Sequence, residues 1–317
     1  MKKLILLFLA FIIVIVIAGF WFVNGLTPKD NNSQTKRFVI DQGETASAIG
    51  IDLAKNNLIK SATAFRIYSQ VTQTARKIKP GSYDLSSNQW VPQIIAKLLN
   101  GPTEIWVTIP EGLRKEEIAE KFTDFDKFNK QEFLNLTKND EGYLFPDTYL
   151  LPRDATASTI VKIMTDNFNK QYTEAAKNKT NPLSKNDIVI LASIVQREAI
   201  TAEDMRGVAS VLMNRYNSGM SLGSDVTLEY ALGQQPDGGW WKKDLTVDDL
   251  ALDSPYNTRT NAGFPPTPIS NPGLVALEAA ANPPNTSYLY YLSDSDGKLH
   301  FAQTLEEHNA NIQKYLQ

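Results

Sequence analysis

Twenty consecutive uncharged, apolar residues, LILLFLAFIIVIVIAGFWFV from Leu4 to Val23, constrain this chain more than any other stretch. At a rise of about 1.5 Å per residue, a helix of that length matches the ~20 residues needed to cross the hydrocarbon of a bilayer. A secretory signal is the competing reading, but its apolar region is normally about 7–15 residues long and closes on a small-x-small site. This run is longer and closes on Trp21 and Phe22, bulky rings that suit an interfacial belt. The expectation is an uncleaved single-pass anchor at 4–23 behind a cytoplasmic tail at 1–3, with the bulk of the chain on the outer side. Charge alone does not set that orientation, because Lys2 and Lys3 precede the run while Lys29, Lys36 and Arg37 follow it.

Beyond the tail, 30 basic side chains face 35 acidic ones, a balance of about −5 that gives no electrostatic reason to expect nucleic acid. The absence of cysteine excludes disulfides and thiol nucleophiles. With only His300 and His308 available, an ordinary histidine-rich zinc site is excluded too. No metal or cofactor is therefore expected, and any catalysis should rest on carboxylates, hydroxyls and amides.

Polar NGLTPKDNNSQTK reads as a flexible linker over 24–36, with a root-mean-square reach of roughly 20 Å. Order resumes with a strand at Arg37–Ile40, a turn at Asp41–Gly43 and a helix whose buried side includes Ile49 and Leu53; Lys60-Ser61 opens a second helix. KIKPGSYDL turns at Pro80-Gly81 into another strand, and WVPQIIAKLLNG reads as a helix closed by Gly101. IWVTIPEGLRKEEIAEKF repeats the strand-turn-helix grammar of FVIDQGETASAIGIDL, which suggests two related small units. From Glu132 the pattern is mainly helical. Two irregular stretches interrupt it: EGYLFPDTYLLP at Glu141–Pro152 and SPYNTRTNAGFPPTPISNPG at Ser254–Gly273. The first fits either an aromatic-lined core turn or a ligand surface. In the second, several prolines of fixed φ beside polar groups suit a preformed binding wall.

The chemistry concentrates in SKNDIVILASIVQREAITAEDMRGVASVLMNRY, residues 184–216. Glu198 continues the helical stripe of Leu191 and Ile194, so an apolar face ends in a carboxylate. Such a group either finds a partner or reaches a cleft where partial desolvation keeps it protonated near neutrality, as a general acid requires. Thr201 and Asp204 have the spacing of a capping box, so a turn follows Glu198 at once. Glu203 and Asp204 then read as acidic residues favouring a helix dipole. Asp225 in GSDVT is the candidate second carboxylate, or else a cap. Tyr256 and Asn257 offer a ring for stacking and an amide for hydrogen bonding, while Asn214 either meets a ligand or braces the hairpin.

LASIVQRE, VASVLMNRY, EGYLFPDTY and YNTRTNAGFPPTPISNPG followed by ALEAAANPP, in that family's order, resemble the YceG-like endolytic murein transglycosylases across essentially the whole chain. The resemblance implies an α+β protein: the anchor, a small LysM-like α/β subdomain at 37–104, and a larger, mainly helical, lysozyme-like catalytic domain with irregular loops at 105–317. It implies a membrane enzyme on the cell-wall side that cuts peptidoglycan strands between N-acetylmuramic acid and N-acetylglucosamine, leaving 1,6-anhydro ends. Glu198 falls on the family's catalytic glutamate, with Asp225, Tyr256, Asn257, Asn214, Tyr143 and Phe145 as candidate sugar contacts. Peptidoglycan synthases and division or elongation proteins are the protein partners such an enzyme would work beside. The chain departs from the family pattern at Gln196, often glutamate, at Val226, often proline, and at Arg259, often tyrosine.

One well-placed glutamate suffices for that chemistry. A hydrolase normally uses two carboxylates. In a transglycosylase the nucleophile is the sugar's own C6 hydroxyl, already held at high effective molarity, so one acid that later acts as base is enough. Two alternatives stay open at this point: a muramidase-type hydrolase pairing Glu198 with Asp225, and a non-catalytic wall-binding or division scaffold.

Overall fold

The computed structural model describes residues 2–316, which fall into two compact units. The first holds the chain up to Val107 together with Thr148–Asp154; the second holds Thr108–Asp147 and the chain from Ala155 onward.

The first unit begins with helix α1 (Lys2–Leu26), of which Lys3–Leu26 is long and apolar enough to cross a membrane. Its side chains from Leu4 to Trp21 are left uncovered by the rest of the chain. Strand β1 (Lys36–Ile40) leads into α2 (Ala46–Lys55) and α3 (Ala62–Val71), capped by the hydroxyls of Thr45 and Ser61, which accept from the backbone N–H of Ala48 and Ala64. Strand β2 (Gly81–Leu85) then returns antiparallel to β1, with Phe38 opposite Tyr83 and Ile40 opposite Gly81. Gly81 is required there: its φ is +137°, and a Cβ would lie 2.3 Å from the Glu104 carbonyl oxygen. Helix α4 (Val91–Asn100) buries Val91, Ile94, Ile95 and Leu98, the i, i+3, i+4, i+7 stripe of a core-facing helix. With β3 (Glu104–Thr108) and β4 (Thr148–Pro152) the sheet order is β1-β2-β3-β4. Phe65, Ile49, Leu53 and Leu98 fill the core beside it.

Two expectations change here. The stretch over 24–36 is not a free linker, because α1 continues to Leu26 and the residues beyond it bond back to the unit: Lys29 N donates to Ser87 O and Asn88 N to Asn32 O. The second strand-turn-helix copy does form, but β3 belongs to the first unit and the helix after it, α5 (Lys115–Glu120), to the second. The repeated grammar therefore does not build two matching units.

In the second unit α6 (Lys130–Leu136) and the long α7 (Ala157–Ala175) precede α8 (Lys185–Glu198). All eight residues of α8 from Ile188 to Val195 are buried, so the helix is enclosed on every side. Leu191 and Ile194 lie within that buried stretch. Helix α9 (Ala202–Asn217), starting at the Thr201 cap, packs against α8, as do α10 (Asp225–Leu232) and, after short α11 (Val247–Leu250), α12 (Leu274–Ala281). The buried Ala276, Ala279, Ala280 and Ala281 of α12 keep its surface thin, which permits close approach to the central helix. A hairpin of β5 (Tyr290–Ser293) and β6 (Leu299–Ala302) and then α13 (Leu305–Tyr315) complete the unit. Gly207 of α9 seats Phe301 of that hairpin: a Cβ would fall 2.3 Å from its ring.

Candidate active site

Helix α8 stops at Glu198 because Ala199 adopts an extended conformation, φ −142° and ψ 154°, while its N–H still donates to Val195 O. The break releases the glutamate side chain from the core into a cleft of about 490 Å³, within the usual size range of ligand sites. Arg215, Asp225, Arg259, Tyr290, Tyr291 and His308 line it too. Two hydroxyls hold the Glu198 carboxylate. Ser224 donates to its Oε1 at 2.5 Å, and the Tyr291 side chain hydrogen-bonds it from β5. Burial pushes the Glu198 carboxyl up from its ordinary range and outweighs the lowering effect of those two hydrogen bonds. Burial, reinforced by the adjacent Glu198, also raises the Tyr291 phenol well above its ordinary value, so it stays a donor.

Ser224 is itself fixed. Its N–H donates to Thr258 Oγ1, its carbonyl accepts from Thr227 Oγ1, and the two threonine hydroxyls meet at 3.0 Å. This triangle joins the GSDVT and YNT stretches and fixes the serine that bonds Glu198.

The other anticipated residues divide sharply. Asp225 does line the cleft, but Arg259 grips it, with Nε and Nη2 both donating to Oδ1 at 2.7 and 2.5 Å. Asn257 is fully buried and its amide donates to the carbonyls of Leu250 and Leu252, which places it as the brace of its loop. Asn214 donates to Thr286 O and Tyr288 O, and Arg215 Nε to Leu289 O, so both hold the segment entering β5 and with it Tyr291. Tyr256 lies against Tyr230 and shares a hydrogen bond with Thr267. Tyr143 packs edge-on against Phe168 and bonds Asn186, while Phe145 belongs to the core. The structure thus brings Glu198 and Asp225 to one cleft, turns Asn257 and Phe145 inward, and engages half-buried Asn214 with the segment entering β5.

Sequence reasoning passed over Ser224, Tyr291 and a charged cluster near Glu198. Arg197 lies 3.8 Å over the Trp241 ring, whose Nε1–H donates to Glu117. Burial lifts Glu229, one turn along α10 from Asp225, to about 7, although Arg197 pulls the other way. The helical i, i+4 spacing of Asp225 and Glu229 was a signal available in the sequence. Tyr291 carried none, since 93 residues of chain separate it from Glu198. Gln196, the departure next to the acid, accepts from Gly273 N and so ties α8 to the end of the proline-rich loop.

Comparison with known proteins places the chain among relatives. The model described as the YceG-like family matches residues 38–314. The endolytic murein transglycosylase of Bacillus subtilis (strain 168) is 34% identical, across 92% of this chain and 88% of that protein. The endolytic murein transglycosylase of Streptococcus pneumoniae serotype 2 (strain D39 / NCTC 7466) is 27% identical across 99% of this chain, which spans 65% of that longer protein. A crystal structure of a YceG-like protein from Listeria monocytogenes superposes with a TM-score of 0.57 at 30% identity, covering 88% of this chain and 99% of that one.

Proposed function

The chain belongs to the YceG-like family, and we propose that it is a membrane-anchored lytic transglycosylase that cuts peptidoglycan strands internally, between N-acetylmuramic acid and N-acetylglucosamine. The observation that carries this reading is the Glu198 carboxyl, released after the buried stretch 188–195 into a cleft, held by two neutral hydroxyl donors and raised by burial. Burial favours the protonated form of that carboxyl, the form that can deliver a proton to a leaving oxygen.

On this reading one carboxyl serves both steps. Glu198 delivers its proton to the glycosidic oxygen as the C1–O bond breaks and positive charge grows at C1. The C6 hydroxyl of the same sugar closes on C1, and the carboxylate just formed takes the O6 proton. One C–O bond is lost, one is gained, no water is consumed, and Glu198 is protonated again. Ser224 and Tyr291 steady the carboxylate during its brief ionised life, each donating to it.

Further assignments belong to the same proposal. Helix α1 is the membrane anchor, with the second unit on the cell-wall side and Tyr256 and the proline-rich loop flanking the glycan. The β1-α2-α3-β2 order of the first unit, two antiparallel neighbouring strands enclosing two helices, supports the LysM-like reading and a glycan-holding role. Nascent strands beside membrane-bound synthases are the substrate that such a tether favours. Asp225 in the same cleft supports hydrolysis as the second reading, in which it would direct water to C1. Mass spectrometry of the products of purified protein on uncrosslinked peptidoglycan decides. Anhydro-muramyl ends are expected; reducing ends would establish the hydrolase, and intact strands would leave only a binding role.

A further inference from the structure

The end of α1 is fused to the first unit rather than hinged on it. Gly25 and Leu26 are buried, and Phe22 packs against the same core. A Cβ on Gly25 would lie 2.8 Å from Ala64 Cβ and 3.2 Å from Ser61 Cβ, so only glycine lets α1 come this near to α3. The residues that follow are fastened in turn. Thr27 Oγ1 donates to Asn24 O and accepts from Lys60 Nζ at 2.7 Å. Pro28 bridges to Ile59, and the N–H groups of Lys29 and Asp30 both donate to Ser87 O. The Ser87 hydroxyl then bonds the Asp30 carboxylate.

Depth follows from helix geometry. The ~20 residues that cross about 30 Å of hydrocarbon are taken up by the apolar run from Leu4 to Val23. Residues 24–26 then rise only about 5 Å beyond it, still inside a headgroup layer of roughly 5–7 Å on each side. Ser61 and Ala64 touch Gly25, so the first turn of α3 shares that depth.

We propose that the first unit is seated rigidly in the headgroup layer of the membrane through a face formed by Lys60, Ser61 and Thr63, with the Lys60 ammonium on lipid phosphates. This rests on the reading of α1 as a membrane span. Lys60 is exposed and spends one of its three donors on Thr27, which leaves the others for phosphate oxygens, and exposed Lys29 stands on the adjoining segment. The Asp30 carboxylate, already bonded by Ser87 and by Asn32 N, offsets part of this charge, so shape and depth set the seat and the lysines orient it. A glycan held by this unit would stay at one fixed height over the bilayer.

The chain has no cysteine, so Thr63→Cys gives the full-length protein a unique site for a fluorophore. The protein is placed in vesicles of phosphatidylcholine and phosphatidylglycerol, with and without a nitroxide quencher on the headgroup. Loss of most of the emission is the expected result, with recovery when Gly25→Leu pushes α1 off α3. An unquenched label in a chain that resists alkaline extraction would overturn the seat while leaving the span intact. Release by alkaline extraction would overturn the span and the seat with it. Quenching that survives Gly25→Leu would overturn the rigid contact as its cause.

Discussion

Two glutamates of the second unit, Glu141 and Glu198, are both forced upward by burial, yet only one of them faces a cleft. Glu141 is raised to about 8, by desolvation first and by neighbouring Glu116 second. It is enclosed on the core side of its loop, where Lys115 N and the Asn271 amide donate to Oε1 at 3.2 and 2.8 Å. Asn271 in turn accepts from the N–H groups of Gly142 and Leu144. Glu198 meets hydroxyls instead of backbone, and its remaining surface opens to the cleft. Burial raises a carboxyl whether or not anything can reach it. What separates the two is access: Glu198 lines a cleft, as its proposed role in proton transfer requires, and Glu141 is enclosed.

The largest test of that contrast is Glu198→Gln. The amide keeps the shape and accepts from Ser224, but has no carboxylic proton, so turnover on glycan should fall by about 10²–10⁴-fold with the thermal midpoint unchanged or slightly higher. Turnover close to that of the unaltered protein would break the assignment. Glu141→Ala should do the reverse. It strands the Lys115 N–H and one Asn271 donor, at about 1–3 kcal/mol for each buried group left unsatisfied, and this is read as a lower denaturant midpoint. Per folded molecule, activity should hold.

Glu141 also has a pH signature. Its folded value is raised above the unfolded one near 4.5, so the folded state binds the extra proton between about 4.5 and 8. Its contribution is complete below that window and is lost as pH rises through it. Glu141→Gln should flatten that part of the stability profile, and an unchanged slope would show that the group does not titrate as described. The smallest effect is expected from Ser224→Ala. The Ser224 hydrogen bond lowers the Glu198 carboxyl, so its removal should raise that value further and move the alkaline limb of the pH–rate profile upward, beyond any loss of rate. A limb that stays in place while the rate falls would make Ser224 a packing residue only.

Local grammar was legible where the physics is local. Caps at Ser61 and Thr201, the turn at Gly81 and the end of α8 at Glu198 depend on residues a few positions apart, and each could be read directly. The linker misled because its polar composition says nothing of distant partners: Ser87 and Ile59 hold it from other elements. EGYLFPDTY and YNTRTNAG were readable as important stretches but not for their tasks. Whether Asn257 meets a sugar or the carbonyls of Leu250 and Leu252 depends on which way its loop folds back.

By itself the sequence determined a span-length apolar helix, a carboxylate at the end of an apolar one, and an inventory without thiols that leaves catalysis to oxygen acids, because these follow from residue type and helical period. Only the tertiary structure decided that Ser224 and Tyr291 hold that carboxylate, that Arg259 occupies Asp225, and that Glu141 stays sealed while Glu198 opens outward. Hydrogen bonds act over about 3 Å, and the groups that share them here lie 26, 34, 93 and 130 residues apart in the chain.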